Sequence, residues 1–133
     1  MKLLMMACSE KTIRDLETSN ISLIDIVDVI FGDFPLFVEK IAVTAIFLRE
    51  EQDRDSETVL FTIKNNQNIL AEREVEINFA GRPGNRSFNE ITGLVIPEPG
   101  IFSISIRHGD DILHDWSIPA VVDDSNEGDS SDD

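Results

Sequence analysis

One cysteine and no tyrosine occur among the 133 residues of this chain. The lone Cys8 excludes an intrachain disulfide, and with it the Cys-Trp-Cys core of antibody-type domains. Nothing in such a chain demands an oxidising compartment, so a cytoplasmic location is expected. Basic residues are also scarce: 11 Lys and Arg stand against 26 Asp and Glu, a formal net charge of −15. Duplex nucleic acid and anionic membranes are therefore poor partners, because affinity for either is supplied largely by a basic patch. No apolar run approaches the ~18 residues of a membrane span. The opening MKLLMMACSE imitates a lipoprotein signal, but its apolar run from Leu3 to Cys8 has six residues. An exported segment needs ~7 to 15, so residues 2–8 read as a buried first strand.

What is present points to one globular domain. The apolar fraction is 41%, with eight Phe and one Trp, enough for a core at this length. Charge is uneven along the chain. The last eleven residues, DDSNEGDSSDD, carry six acids and no base, which leaves a body of twenty acids and 11 bases at net −9. Residues 1–122 are thus predicted to form the domain and 123–133 a disordered acidic tail.

Period-two alternation dominates the body. Phe102, Ile104 and Ile106 alternate with Ser103 and Ser105, and Val59, Phe61 and Ile63 with Thr58, Leu60 and Thr62. From Ile69 to Phe79, Val75, Ile77 and Phe79 oppose Glu72, Glu74, Glu76 and Asn78, the pattern of a strand with one wet face. Ile41 to Leu48 is apolar on both parities and reads as a strand covered on both faces. Further strands are predicted near Ser87 to Ile96 and from Ile112 to Val122. Between Asn20 and Phe31 the alternation changes phase, which predicts a bulge or kink. Residues 10–18, EKTIRDLET, allow one or two amphipathic helical turns. Pro97-Glu98-Pro99-Gly100 and His108-Gly109-Asp110-Asp111 mark turns, and Asp53-Arg54-Asp55-Ser56 separates another expected strand pair. Together these predict an all-β, antiparallel two-sheet sandwich of seven to nine strands.

Two segments, MKLLMMACSE and IPEPGIFSISIRHGDDILHDWSIPAVV, resemble a family of small bacterial proteins that carry a domain of unknown function. The resemblance implies an immunoglobulin-like β-sandwich over most of residues 2–122 and brings no activity or site residues with it. Where such turns often have Gly-x-Tyr, this chain has Gly100-Ile101-Phe102, so a tyrosine corner cannot form.

Candidate chemistry is sparse. His108, Asp110, Asp111 and His114 have metal-ligand side chains across one hairpin, the basis for a small metal-dependent hydrolase as one reading. Parity argues against it, because His114 shares its face with Ile112, Trp116 and Ile118 while His108 sits at the turn. Asp53, Asp55 and Glu57 could line a calcium loop but lack the glycine and spacing of an EF-hand. Cys8 has no basic neighbour in sequence and reads as a small hydrophobe. No nucleophile elbow, Walker loop or dinucleotide fingerprint is present. No catalytic residue, metal or cofactor is therefore expected.

The connection Phe31 to Val38 places three Phe and a Leu where two strands should be joined over the surface. Phe34, Leu36 and Phe37 should form a stiff arch around Pro35, with one or two of them accessible. The expected function is a non-catalytic protein-interaction module that uses these residues on a protein partner. A further alternative is an acidic inhibitor that occupies a partner's nucleic-acid-binding surface.

Overall fold

The computed structural model describes residues 1–123. The expected tail lies outside the described residues except for Asp123, whose amide donates to Gly32 O at 3.0 Å. The strands are β1 (Lys2–Arg14), β2 (Ile21–Ile26), β3 (Ile30–Gly32), β4 (Leu36–Leu48), β5 (Ser56–Asn65), β6 (Asn68–Asn78), β7 (Gly84–Ile96), β8 (Gly100–His108) and β9 (Asp111–Val122). They make two sheets, ordered β2-β1-β4-β7 and β3-β9-β8-β5-β6. The neighbours β1-β4-β7 and β9-β8-β5 reproduce the A-B-E and G-F-C order of an immunoglobulin-like sandwich. One pair departs from the antiparallel expectation: β3 runs parallel to β9, with Ile30 opposite Ala120 and Phe31 opposite Val121.

The core follows the alternation. Phe102, Ile104 and Ile106 of β8, and Val59, Phe61 and Ile63 of β5, turn inward against Cys8 of β1 and Val43, Ala45 and Phe47 of β4. Trp116 packs edge-on against Phe102, ring centroids 6.3 Å apart. Residues 2–8 are strand, paired with β4, but not buried as expected: Cys8 alone of them is buried, and Leu4 is 63% exposed because β1 shows one face to solvent.

β4 is central in its sheet, and its outer face is covered as well. Ser9 pairs with Ala42, so a straight β1 would carry Thr12 away from Thr44; instead the two hydroxyls lie 3.1 Å apart. The distal half of β1 therefore folds back with β2 over the outer face of β4, and Ser9, Ala42 and Thr44 are all buried. This corrects the expected helix at residues 10–18. Lys11 to Arg14 pair with Ile21 to Ile24, because the Asp15 carboxylate accepts the Glu17 and Thr18 amides and turns the chain into a hairpin. The cross-strand ladder outweighs a helical tendency too short to stand alone.

Two further corrections concern connections. The phase change between Asn20 and Phe31 is more than a local kink, although Asp25 of β2 does take a positive φ of 55°: β2 belongs to the first sheet and β3 to the second. Likewise the segment around Asp53 to Ser56 does not join a hairpin pair, since β4 and β5 lie in different sheets.

The corner from β7 to β8 is clamped by the β5–β6 turn. Asn65 Nδ2 donates to Glu98 O at 3.0 Å while Asn65 Oδ1 accepts the Glu98 amide at 3.1 Å. Asn66 Oδ1 accepts the Ile101 amide at 2.9 Å. Two asparagine carboxamides thus do what a tyrosine hydroxyl does in related sandwiches. Gly100, at φ +138°, lies beneath Asn66, so that a β-carbon there would run into the carboxamide.

Candidate functional site

The Phe-rich connection crosses from the second sheet to the first at one end of the sandwich. Phe34 and Leu36 are half-buried and pack against the core, and the Phe34–Pro35 peptide is cis. Phe37 is 64% exposed on the outer face of the first sheet, opposite Val95 of β7. Leu36 turns inward beside Gly32, where a β-carbon would approach its Cδ1 to 2.6 Å, so the alternation of β4 forces Phe37 outward. Of the three arch residues, Phe37 alone is an exposed apolar surface.

A second aromatic flanks the same end. Phe31 is 61% exposed on the outer face of the second sheet, opposite Val121 of β9. The sequence offered a signal for it, because Phe31 follows an apolar Ile30 that must face the core, but without β3 it read as part of a loop. Asp33 and Glu39 are exposed beside the arch, and Lys40 is engaged by Glu90 at 3.7 Å. The local field around Phe37 is therefore acidic.

At the opposite end lies a polar cluster that joins two candidates from the sequence. Asp53 of the β4–β5 connection, Glu57 of β5 and His108 at the end of β8 bring one ligand atom each within 4.8 Å of one another. His114 is not a member. A register shift after Ile106 pairs Ile112 with Arg107 and His114 with Ile106, so Ile112 turns to solvent and Leu113 packs inward instead. Asp55 is diverted as well: its carboxylate accepts Arg49 Nη1 at 3.1 Å and the Gly81 amide at 2.7 Å. Neither the two-histidine hairpin site nor the Asp53-Asp55-Glu57 loop site is assembled.

Three of the four carboxylate oxygens of Asp53 and Glu57 are engaged. Asp53 Oδ2 receives the Met1 ammonium at 2.7 Å and the Glu50 amide at 2.8 Å, and Glu50 itself pairs with that ammonium. Glu57 Oε2 lies 2.8 Å from His108 Nε2, and Glu57 Oε1 accepts the Arg54 amide at 2.9 Å. Burial works against the charge on Asp53, yet the Met1 ammonium and the Glu50 amide hold its carboxyl below the usual carboxylate range. The His108 contact, with the Arg54 amide, lowers Glu57 in the same sense. Burial also opposes the Met1 ammonium, but hydrogen bonds to Asp53 and Glu50 prevail and keep the amine above its ordinary value. The Met1 ammonium thus compensates Asp53 and Glu50 while His108 engages Glu57, and the cluster closes one end of the sandwich electrostatically.

Cys8 faces the core between the sheets, and burial pushes its thiol up to about 12. Such a thiol is held protonated and is no nucleophile. Among the described residues, no helix is long and apolar enough to cross a membrane.

In comparison with known proteins, no family model and no curated protein matches the chain. Among solved structures, it is similar to part of a beta-glucosidase from Listeria innocua crystallised in complex with glucose. That likeness has a TM-score of 0.40 at 10% identity and covers 70% of this chain but 14% of the glucosidase. Similarity at that level assigns neither activity nor ligand.

Proposed function

We propose that this chain is a non-catalytic protein-interaction module of the cytoplasm, and that Phe37 is the centre of its contact surface. The observation that carries the reading is the 64% exposure of a phenylalanine on a rigid strand, across from a half-exposed Val95. Fully burying such a side chain in a partner supplies ~1.5 to 3 kcal/mol, and an aromatic set on a strand loses little entropy on binding. Phe34 and Leu36 support it from beneath, so the three arch residues act as one anchor and its footing. Phe31 and Val121 extend the apolar surface around the same end of the sandwich. With Asp33 and Glu39 beside the anchor and net −15 overall, the fitting partner is a protein with an apolar pocket in a basic rim. Engagement of Asp53 by the Met1 ammonium and of Glu57 by His108 favours the non-catalytic reading over hydrolysis at that cluster.

The test places a photo-crosslinking residue at position 37 in the native cell, with position 74 on the outer face of β6 as control. The cross-linked protein is then purified and its affinity measured by calorimetry. A discrete adduct specific to position 37, with Kd weakened by ~10-fold or more in Phe37→Ala, supports the proposal. Identical adducts at positions 37 and 74, or an unchanged Kd, overturn it.

A further inference from the structure

Seven arginines occur in this acidic chain, and three of them, Arg14, Arg82 and Arg86, line one cavity of about 380 Å³ at the end of the first sheet far from Phe37. The fold creates that convergence. Arg14 arrives on the hairpin that folds back over β4, Arg86 projects from the outer face of β7 opposite Ile46, and Arg82 descends from the β6–β7 connection. No Asp or Glu lines the cavity. Three other bases have carboxylate partners, Lys40 on Glu90, Arg49 on Asp55 and Arg54 on Glu57, while among the described residues Lys2, Lys11, Lys64, Arg73 and Arg107 are without one. Among the described residues none of the three cavity arginines has one. In a chain with more than two acids for each base, three unpaired guanidinium groups in one cavity concentrate positive potential where the surroundings are negative.

The cavity also orients neutral donors. Arg86 Nη1 donates to Ser19 O, which fixes that guanidinium on the hairpin and leaves its remaining N–H groups directed elsewhere. Asn78 Oδ1 accepts the Ala80 amide at 2.9 Å, so the Asn78 amide nitrogen is left as a donor. Asn85 Nδ2 donates to the Asn78 main-chain carbonyl at 2.8 Å and ties the start of β7 to the end of β6. Ile46 and the 44% exposed Phe88 supply an apolar wall next to these donors.

We propose that this cavity is a binding site for a small phosphate monoester, with the phosphate among Arg14, Arg82 and Arg86 and an apolar or aromatic body against Phe88 and Ile46. A dianionic phosphate removes the mutual repulsion of the three guanidinium groups and accepts their paired N–H donors, which a monoanionic carboxylate does less completely. The cavity volume falls within the ~300 to 1,000 Å³ of small-molecule sites.

The test is titration of the full chain with inorganic phosphate and with phenyl phosphate at constant ionic strength, followed by calorimetry and amide chemical shifts. Phenyl phosphate should bind ~10-fold or more tightly than inorganic phosphate, and both should move amides in residues 78–88 and near Arg14. Arg14→Gln and Arg82→Gln should each weaken binding ~10-fold or more, while Arg107→Gln on β8 leaves it unchanged. Because Arg86 also anchors the hairpin, its variant is used only after its folded spectrum is verified. A response matched by sodium chloride, or retained in both Arg14→Gln and Arg82→Gln, overturns the site. Phenyl phosphate no tighter than inorganic phosphate overturns the apolar subsite.

Discussion

Asn65 grips Glu98 by both main-chain groups, donating to its carbonyl and accepting from its amide across 33 residues of sequence. The carboxamide is fully buried, so the pair is shielded from water. Asn65→Ala removes both bonds and strands buried polar groups, at a cost of ~1 to 3 kcal/mol in urea unfolding. Asn65→Asp keeps the acceptor but loses the donor and sets a charge in the core, so it should be at least as damaging. A variant with the wild-type midpoint would show that the corner is held by something else.

Stability should depend on pH at both ends of the range. Glu57 and Asp53 titrate below their ordinary values of 4.5 and 3.8 in the folded chain, so their contribution is present above those values and lost as pH falls through the folded ones. The Met1 amine titrates above 8.0, so its contribution is complete below pH 8 and lost as pH rises through its folded value. Urea midpoints should therefore form a plateau between about pH 5 and 8 and fall on either side. Acetylation of the Met1 amine should lower the plateau and flatten the alkaline limb; an alkaline limb that survives it would assign that limb to other groups.

Cys8 should be silent in the native state. With the thiol pushed up to about 12 and its side chain sealed between the sheets, labelling by a thiol reagent should require unfolding. Reaction should become rapid in denaturant, and native labelling at the rate of a free thiol would contradict the strand register of β1.

Phe37 and Phe47, ten residues apart on β4, should behave as opposites. Phe47→Ala empties a fully buried position and should cost ~3 to 5 kcal/mol of stability. Phe37→Ala removes a mostly exposed ring and should change stability by ~0.5 kcal/mol or less in thermal unfolding. A loss at Phe37 as large as that at Phe47 would make the arch a plug of the core.

Much of the sandwich was legible because its strands obey a period of two. The inward sets Phe102-Ile104-Ile106 and Val59-Phe61-Ile63 are written in the sequence, and so is the double covering of Ile41 to Leu48. What escaped depends on where the chain changes sheets. The transfer from β2 to β3 looks like a phase slip when only one strand is imagined, and the hairpin at Asp15 looks like a short helix because Ile13 and Leu16 are three apart. The extra residue at Leu113 inverted the expected face of Ile112, since one inserted position puts the side chains before it out of phase with those after it. Likewise Arg14, Arg82 and Arg86 are unremarkable along the sequence. They meet only because β1 bends back on itself.

The parallel pairing of Ile30, Phe31 and Gly32 with residues 120–122 has a temporal consequence. During synthesis the short edge strand β3 emerges early and has no neighbour in its own sheet until the last strand is made. The ribosome adds ~5 to 20 residues each second, so β3 waits several seconds with Ile30 uncovered and its edge open. The first sheet is in a similar position, because β4 gains its second neighbour only with β7. β1, β2 and β4 can nonetheless pair as soon as Leu48 has emerged, whereas β3 docks only once β9 has been made, so the second sheet gains its parallel edge last.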